Sequence, residues 1–293
     1  MVQLMQRLLA GVLASAAVTG GTMAYTQFGA HRISPADVPG LEEFIKLVPN
    51  AVQWQYVTIR TNNVLFAESL DDAVDFEPTE EWSESSYVQA YDTAGHSVGS
   101  YFPPTDDADE SVMAVSEYDA DGRLVRSVSY FGGQPYTENL TTYDEAGRIQ
   151  SRTSRRDGEI VDGSEFYYTP QEDGSYLRRI RYANGREETD VINAAGQPLR
   201  SEWEDGYSSW EYDDKGRPTE TVIKTATLSQ RTEYTYHDAA DGSYTSTHTV
   251  YENGALRSCT ERQFDVFGNC IHETMYNAAG ELTYEMTAEP LDL

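Results

Sequence analysis

The chain has 293 residues, 39% hydrophobic and 12% aromatic, enough apolar material for a large folded domain and too much for disorder throughout. Asp and Glu number 49 against 21 Lys and Arg, a formal net charge of -28, so the folded surface carries a broad negative potential. That argues against nucleic acid as a partner, since phosphate recognition needs clustered cations, and leaves basic proteins, metal cations and neutral glycans open.

Residues 1–24 pair Arg7 with an apolar run from Leu8 to Val18 and then small residues, the shape of a secretory signal with cleavage expected before Tyr25. An uncleaved N-terminal anchor is the alternative, and it would be the chain's one membrane contact; the run is shorter than the roughly 20 residues that span a bilayer. Export implies a secreted, cell-surface or periplasmic protein. Residues 25–86 form a distinct segment. Within it Ser34-Pro35-Ala36-Asp37 and Leu41 to Val48 predict a short helix, Gln53 to Thr61 a strand, and Glu68 to Glu84 an acidic linker.

Residues 87–293 repeat one pattern, an aromatic followed by Asp or Asn, two variable residues and Gly. Clear copies begin at Tyr91, Tyr118, Tyr143 and Tyr212, and degenerate ones at Ile192, Phe264 and Tyr276. The Asp or Asn opens a type I turn by accepting an N–H from two residues on, and the Gly closes it with positive φ. Other turn signals, such as Asp157-Gly158 and Asn253-Gly254, lie between the copies, so a turn arrives about every 10 to 14 residues. The Tyr-, Thr- and Val-rich runs between turns predict about 16 antiparallel strands, a single ladder roughly 75 Å long. The expected fold is all-β, a long curved antiparallel β-meander of tandem hairpin repeats in one solenoid-like sheet, with a short N-terminal helix.

The Tyr-Asp-x-x-Gly-Arg copies at 118, 143 and 212 resemble the YD repeats of the RHS family, and the hairpin pattern is similar to MORN-like meanders. That resemblance implies a bacterial exported repeat protein, of a kind that forms shells around toxic domains or belongs to surface proteins linked to carbohydrate binding.

Chemical motifs are sparse. Gly95-His96-Ser97-Val98-Gly99 matches a nucleophile elbow, with Asp213 or Asp238 and His237 or His248 as partners, but Gly95 already closes a turn and no helix follows. Asp119-Ala120-Asp121-Gly122 and Asp106 to Glu110 resemble the start of a calcium loop without its distal Glu. His31, His96, His237, His248 and His272 follow no metal-ligand spacing, so no metal, cofactor or catalytic set is expected. Cys259 and Cys270 flank a turn off-centre, which leaves a disulfide and two separate thiols both open. Trp203, Trp210, Tyr212, Tyr234, Tyr236 and Tyr244 fall in consecutive hairpins and, if alternation holds, share one face as a binding platform. The sequence thus suggests a non-catalytic binding or adhesion scaffold for cell-envelope glycan or a protein, or else a structural or immunity-type repeat protein that neutralises a toxin.

Overall fold

A computed structural model describes residues 34–63, 78–104, 110–203, 205–291 and 293. The signal segment, His31 and the acidic stretches at 68–77 and 105–109 lie outside the described residues. A 3-10 turn at Pro35–Asp37 precedes the one α-helix among the described residues, α1 (Leu41–Leu47). The strands begin with β1 (Gln53–Asn63), β2 (Pro78–Tyr91), β3 (Ser97–Phe102), β4 (Val112–Tyr118), β5 (Leu124–Phe131) and β6 (Gln134–Tyr143). They continue with β7 (Ile149–Arg156), β8 (Glu159–Pro170), β9 (Tyr176–Tyr182), β10 (Glu187–Ile192), β11 (Pro198–Trp203) and β12 (Gly206–Tyr212). The last are β13 (Pro218–Thr225), β14 (Ser229–Asp238), β15 (Tyr244–Glu252), β16 (Ala255–Phe264), β17 (Cys270–Asn277) and β18 (Leu282–Pro290).

Each strand pairs antiparallel with its sequence neighbours, and β18 pairs back onto β1 from Gln55↔Pro290 to Thr61↔Tyr284. The sheet is therefore a closed barrel of 18 strands. This corrects the open, solenoid-like meander expected from the repeat: the all-β antiparallel class and the helix stand, but pairing of the two end strands abolishes both edges. The strand that makes closure possible, β1, precedes the first copy of the repeat. It pairs with β2 as well as β18, so the boundary expected at 86/87 falls inside a strand, and the presumed linker contributes residues 78–84 to β2.

The turns form as their chemistry dictates. In seven of them one side-chain oxygen of the leading Asp or Asn accepts the backbone N–H groups two and four residues on, as Asp144 does from Ala146 and Arg148 at 3.0 and 2.8 Å. The closing Gly147 has φ +79°, a conformation that L side chains resist.

Exposure alternates along the strands and identifies the two faces of the wall. On β9 Tyr176, Arg178, Ile180 and Tyr182 are half-buried, while Leu177, Arg179 and Arg181 are exposed. On β10 Asp190 and Ile192 are buried, and on β14, β15 and β16 so are Thr232, Ser246 and Thr260. Cross-strand register places all of these on one face, the inner one. The outer face carries charge at mid-height, with Arg126 between Glu117 and Glu138, Arg231 beside Glu220 and Glu233, and Arg60 beside Glu84 and Glu285. A wall so charged faces water, because a lipid-facing Arg at mid-bilayer costs about 2–4 kcal/mol.

The helix covers one patch of this outer face. Leu41, Phe44 and Val48 fall at helical spacing and are buried, whereas Glu43 and Lys46 face solvent and pair with each other at 2.7 Å. Phe44 stacks on Tyr101 at 5.6 Å and meets Trp54 edge-on at 5.8 Å. Val88, Ala90, Val98 and Met113 complete this apolar core. The helix approaches closely because residue 99 is Gly: a β-carbon there would stand 2.8 Å from Val48 and 2.9 Å from both Phe44 and the Ala114 carbonyl.

Candidate functional site: the inner wall

The inner wall is ordered at one end by a ladder built from the repeat. In four of the turns the residue after the closing Gly bonds back to the leading Asp and lies over an aromatic ring about 20 residues further on. Arg123 Nε donates to Asp119 at 2.8 Å and its guanidinium lies 4.8 Å from the Tyr143 ring; Arg148 repeats this with Asp144 and Tyr168. Arg217 does so with Asp213 and Tyr236, and His96 replaces the arginine, bonding Asp92 and stacking on Tyr118 at 4.6 Å. Each tyrosine hydroxyl donates to the carbonyl just past that residue, Tyr118 to Ser97, Tyr143 to Leu124, Tyr168 to Ile149 and Tyr212 to Pro198, at 2.7–3.0 Å. Burial pushes the Tyr118 and Tyr236 phenols up to about 12, so they stay neutral, Tyr118 as a donor to the Ser97 carbonyl.

Small hydroxyls line the wall between the aromatics. Ser116, Ser127, Asn139 and Ser154 pair directly from β4 to β7, and Ser201 and Ser208 pair across β11 and β12. The six aromatics singled out from the sequence, Trp203, Trp210, Tyr212, Tyr234, Tyr236 and Tyr244, all take inner-face positions by register. They line the inside of a closed barrel and not an open concave sheet. Trp203 stands apart at the opposite end, 42% exposed.

Two ionic clusters are embedded in the wall. Arg178 forks onto both carboxylate oxygens of Asp190, with Nε to Oδ1 at 2.9 Å, and Phe166 lies between the Arg178 and Arg152 guanidinium groups, 6.0 and 5.6 Å away. On β15 to β17, Arg262 forks onto Glu273 at 2.8 and 3.0 Å and also donates to His248 Nδ1 at 3.0 Å. Since arginine only donates, His248 is neutral and carries its proton on Nε2, which faces Ser246 Oγ at 3.1 Å. Burial, helped by the Arg262 charge, brings this imidazole down to about 4. A histidine that donates to serine cannot take the serine proton, so Ser246 and His248 are not a nucleophile and its base. Sequence spacing missed this cluster because its members lie 11 to 25 residues apart and meet only through register.

The remaining sequence candidates do not converge. Ser97 starts β3 and takes a hydrogen bond from Gln89, Asp213 is held by Arg217, Asp238 by Lys215 and Arg217, and His237 sits on the outer face. Both Asp119 oxygens accept N–H groups, and the Arg123 hydrogen bond holds its carboxyl below the usual range, so they are filled by donors rather than free for calcium. Cys259 and Cys270 are free thiols, which removes the possible disulfide: Cys259 pairs with Thr249 on the outer face while Cys270 pairs with inward Phe264. Burial, reinforced by Glu273, pushes the Cys270 thiol up to about 12, which makes it unreactive near neutral pH.

No family model matches the chain, and no curated protein matches it. Among solved structures it is similar to a porin-like protein from Bacteroides uniformis, at 10% identity and a TM-score of 0.36, over 82% of this chain and 98% of that one. It is also similar to a β-barrel-like protein of a domain of unknown function from Brucella abortus, at 13% identity and a TM-score of 0.29, over 83% of this chain and 98% of that one.

Proposed function

We propose that the protein is an exported, non-catalytic binding protein that holds a saccharide of the cell envelope against the inner wall of its barrel. The observation that carries this reading is the coincidence, on one face, of six aromatic side chains with ladders of Ser, Thr and Asn. A sugar ring presents an apolar C–H face and a rim of hydroxyls, which this mixture of aromatic planes and short polar groups complements. The neutral, hydrogen-bonded state of His248 and the inert Cys270 fit recognition better than turnover.

A glycan-array screen of the purified protein tests the reading. Binding to envelope-type oligosaccharides is expected, weakened at least tenfold by Trp210→Ala; no binding on the array together with a tight protein partner in pull-down would overturn it. One observation favours that second reading, a protein ligand. Phe131, Ile160, Val161, Trp203 and Leu256 are exposed, and all lie beside turns at the end of the barrel opposite the Asp-x-x-Gly ladder.

A further inference from the structure

The inner wall is not uniform. From β15 round to β2 several polar groups are paired within the wall, Arg262 with Glu273, Tyr91 with Gln55 and Gln89 with the Gly99 carbonyl, while the buried Gln53 Nε2 on β1 has no partner among the described residues. On β7 the pattern changes. Arg152 takes an inner position between Thr141 and Ser164, and it is exposed although it faces the barrel interior. Its guanidinium lies over the Phe166 ring at 5.6 Å. Among the described residues no carboxylate stands within ion-pair distance of it. Asp162 is the nearest acid by register, one diagonal away, and its Oδ1 already accepts the Gly163 N–H. Arg178, on the other side of Phe166, is fully engaged with Asp190 and cannot share a ligand's charge.

An unpaired guanidinium inside a protein of net charge -28 is conspicuous, because carboxylates outnumber cations more than two to one. The wall supplies Arg178 with Asp190 and leaves Arg152 with hydroxyls and an aromatic face. Resting on the reading of the inner wall as a saccharide site, we infer that Arg152 selects an acidic sugar, one whose ring carries a carboxylate. The planar fork of arginine presents two parallel N–H groups to both oxygens of a carboxylate, while Phe166 holds the fork flat and restricts its rotation. Thr141 and Ser164 stand on either side to meet ring hydroxyls, and Tyr143 lies on the same face of β6 as Thr141. The net charge of -28 disfavours non-specific capture of polyanions, so discrimination rests on this one local donor set.

Titration calorimetry with an oligogalacturonate and a neutral gluco-oligosaccharide of equal length, at low and physiological salt, tests the inference. The acidic oligomer should bind more tightly than the neutral one at physiological salt, where the repulsion from the protein's net charge is screened. Arg152→Gln should weaken that binding at least tenfold and the neutral oligomer's far less, while Arg152→Lys should restore only part, since an ammonium keeps the charge and loses the fork. Melting temperatures of both variants should stay close to the parent's, because Arg152 supports no ion pair and its one ring contact, at an exposed side chain, contributes little. Equal acidic-oligomer affinity in the parent and Arg152→Gln would overturn the inference. Binding of the neutral oligomer alone would overturn it too, yet leave the wall a saccharide site; binding of neither would remove both readings.

Discussion

At the scale of single residues, Asp119, Asp144 and Asp213 each do two jobs with their two oxygens. One closes the turn by accepting two backbone N–H groups, and the other anchors the arginine that stacks on the next tyrosine. Asp144→Ala should therefore destabilise by roughly 1–3 kcal/mol in chemical denaturation, the usual cost of orphaning charged hydrogen bonds. Asp144→Asn should cost less, as Asn193 and Asn277 hold the same turn elsewhere. His248 supplies a pH dependence of its own. Its folded value of about 4 lies below the ordinary 6.5, so the unfolded chain takes up the proton first. Stability is then full above pH 6.5 and declines as pH falls from 6.5 to 4. Denaturant melts across that window should show the decline, and His248→Gln should flatten it. Asp119, Asp144 and Asp213 act lower: Arg123 holds down Asp119, while at Asp144 and Asp213 burial is outweighed by hydrogen bonds from Arg148 and Arg217. Their contribution is lost as pH falls through their depressed values, below the ordinary 3.8.

At the scale of elements, α1 is held by a few large side chains against a strand that yields space for them. Phe44→Ala should cost about 3–5 kcal/mol, as for other buried aromatics. Gly99→Ala should release the helix without removing any apolar group, since its β-carbon would stand 2.8–2.9 Å from Val48, Phe44 and the Ala114 carbonyl. Hydrogen exchange confined to residues 41–47 would report that release, whereas unchanged exchange would show that the contact is tolerated. Strands and turns were legible in the sequence because their causes are local: an Asp or Asn, a Gly three residues later, and a Tyr- or Thr-rich run. The shared face of Trp210, Tyr212, Tyr234 and Tyr236 was legible for the same reason, as period-two alternation survives the regular bulges. The arginine after each Gly was also written there at positions 123, 148 and 217, but its partner lies a full repeat away and only the folded ladder reveals it.

At the scale of the whole molecule, closure was not legible, because it depends on one pairing between Gln55–Thr61 and Tyr284–Pro290, more than 220 residues apart. β1 lacks the repeat's turn and so read as part of a separate N-terminal segment. The His248–Arg262–Glu273 cluster was hidden in the same way, since register across three strands creates it. Closure also gives the aromatic and hydroxyl residues an inside, on which the proposed saccharide site depends. Spin labels at Thr58 and Thr287, with both native cysteines replaced by serine, test that directly, since the two positions face each other outward across β1 and β18. A closed barrel predicts a label separation within about 20 Å, set by one strand spacing plus the label arms. A separation of many tens of ångströms, approaching the roughly 80 Å width of 18 strands laid open, would contradict it.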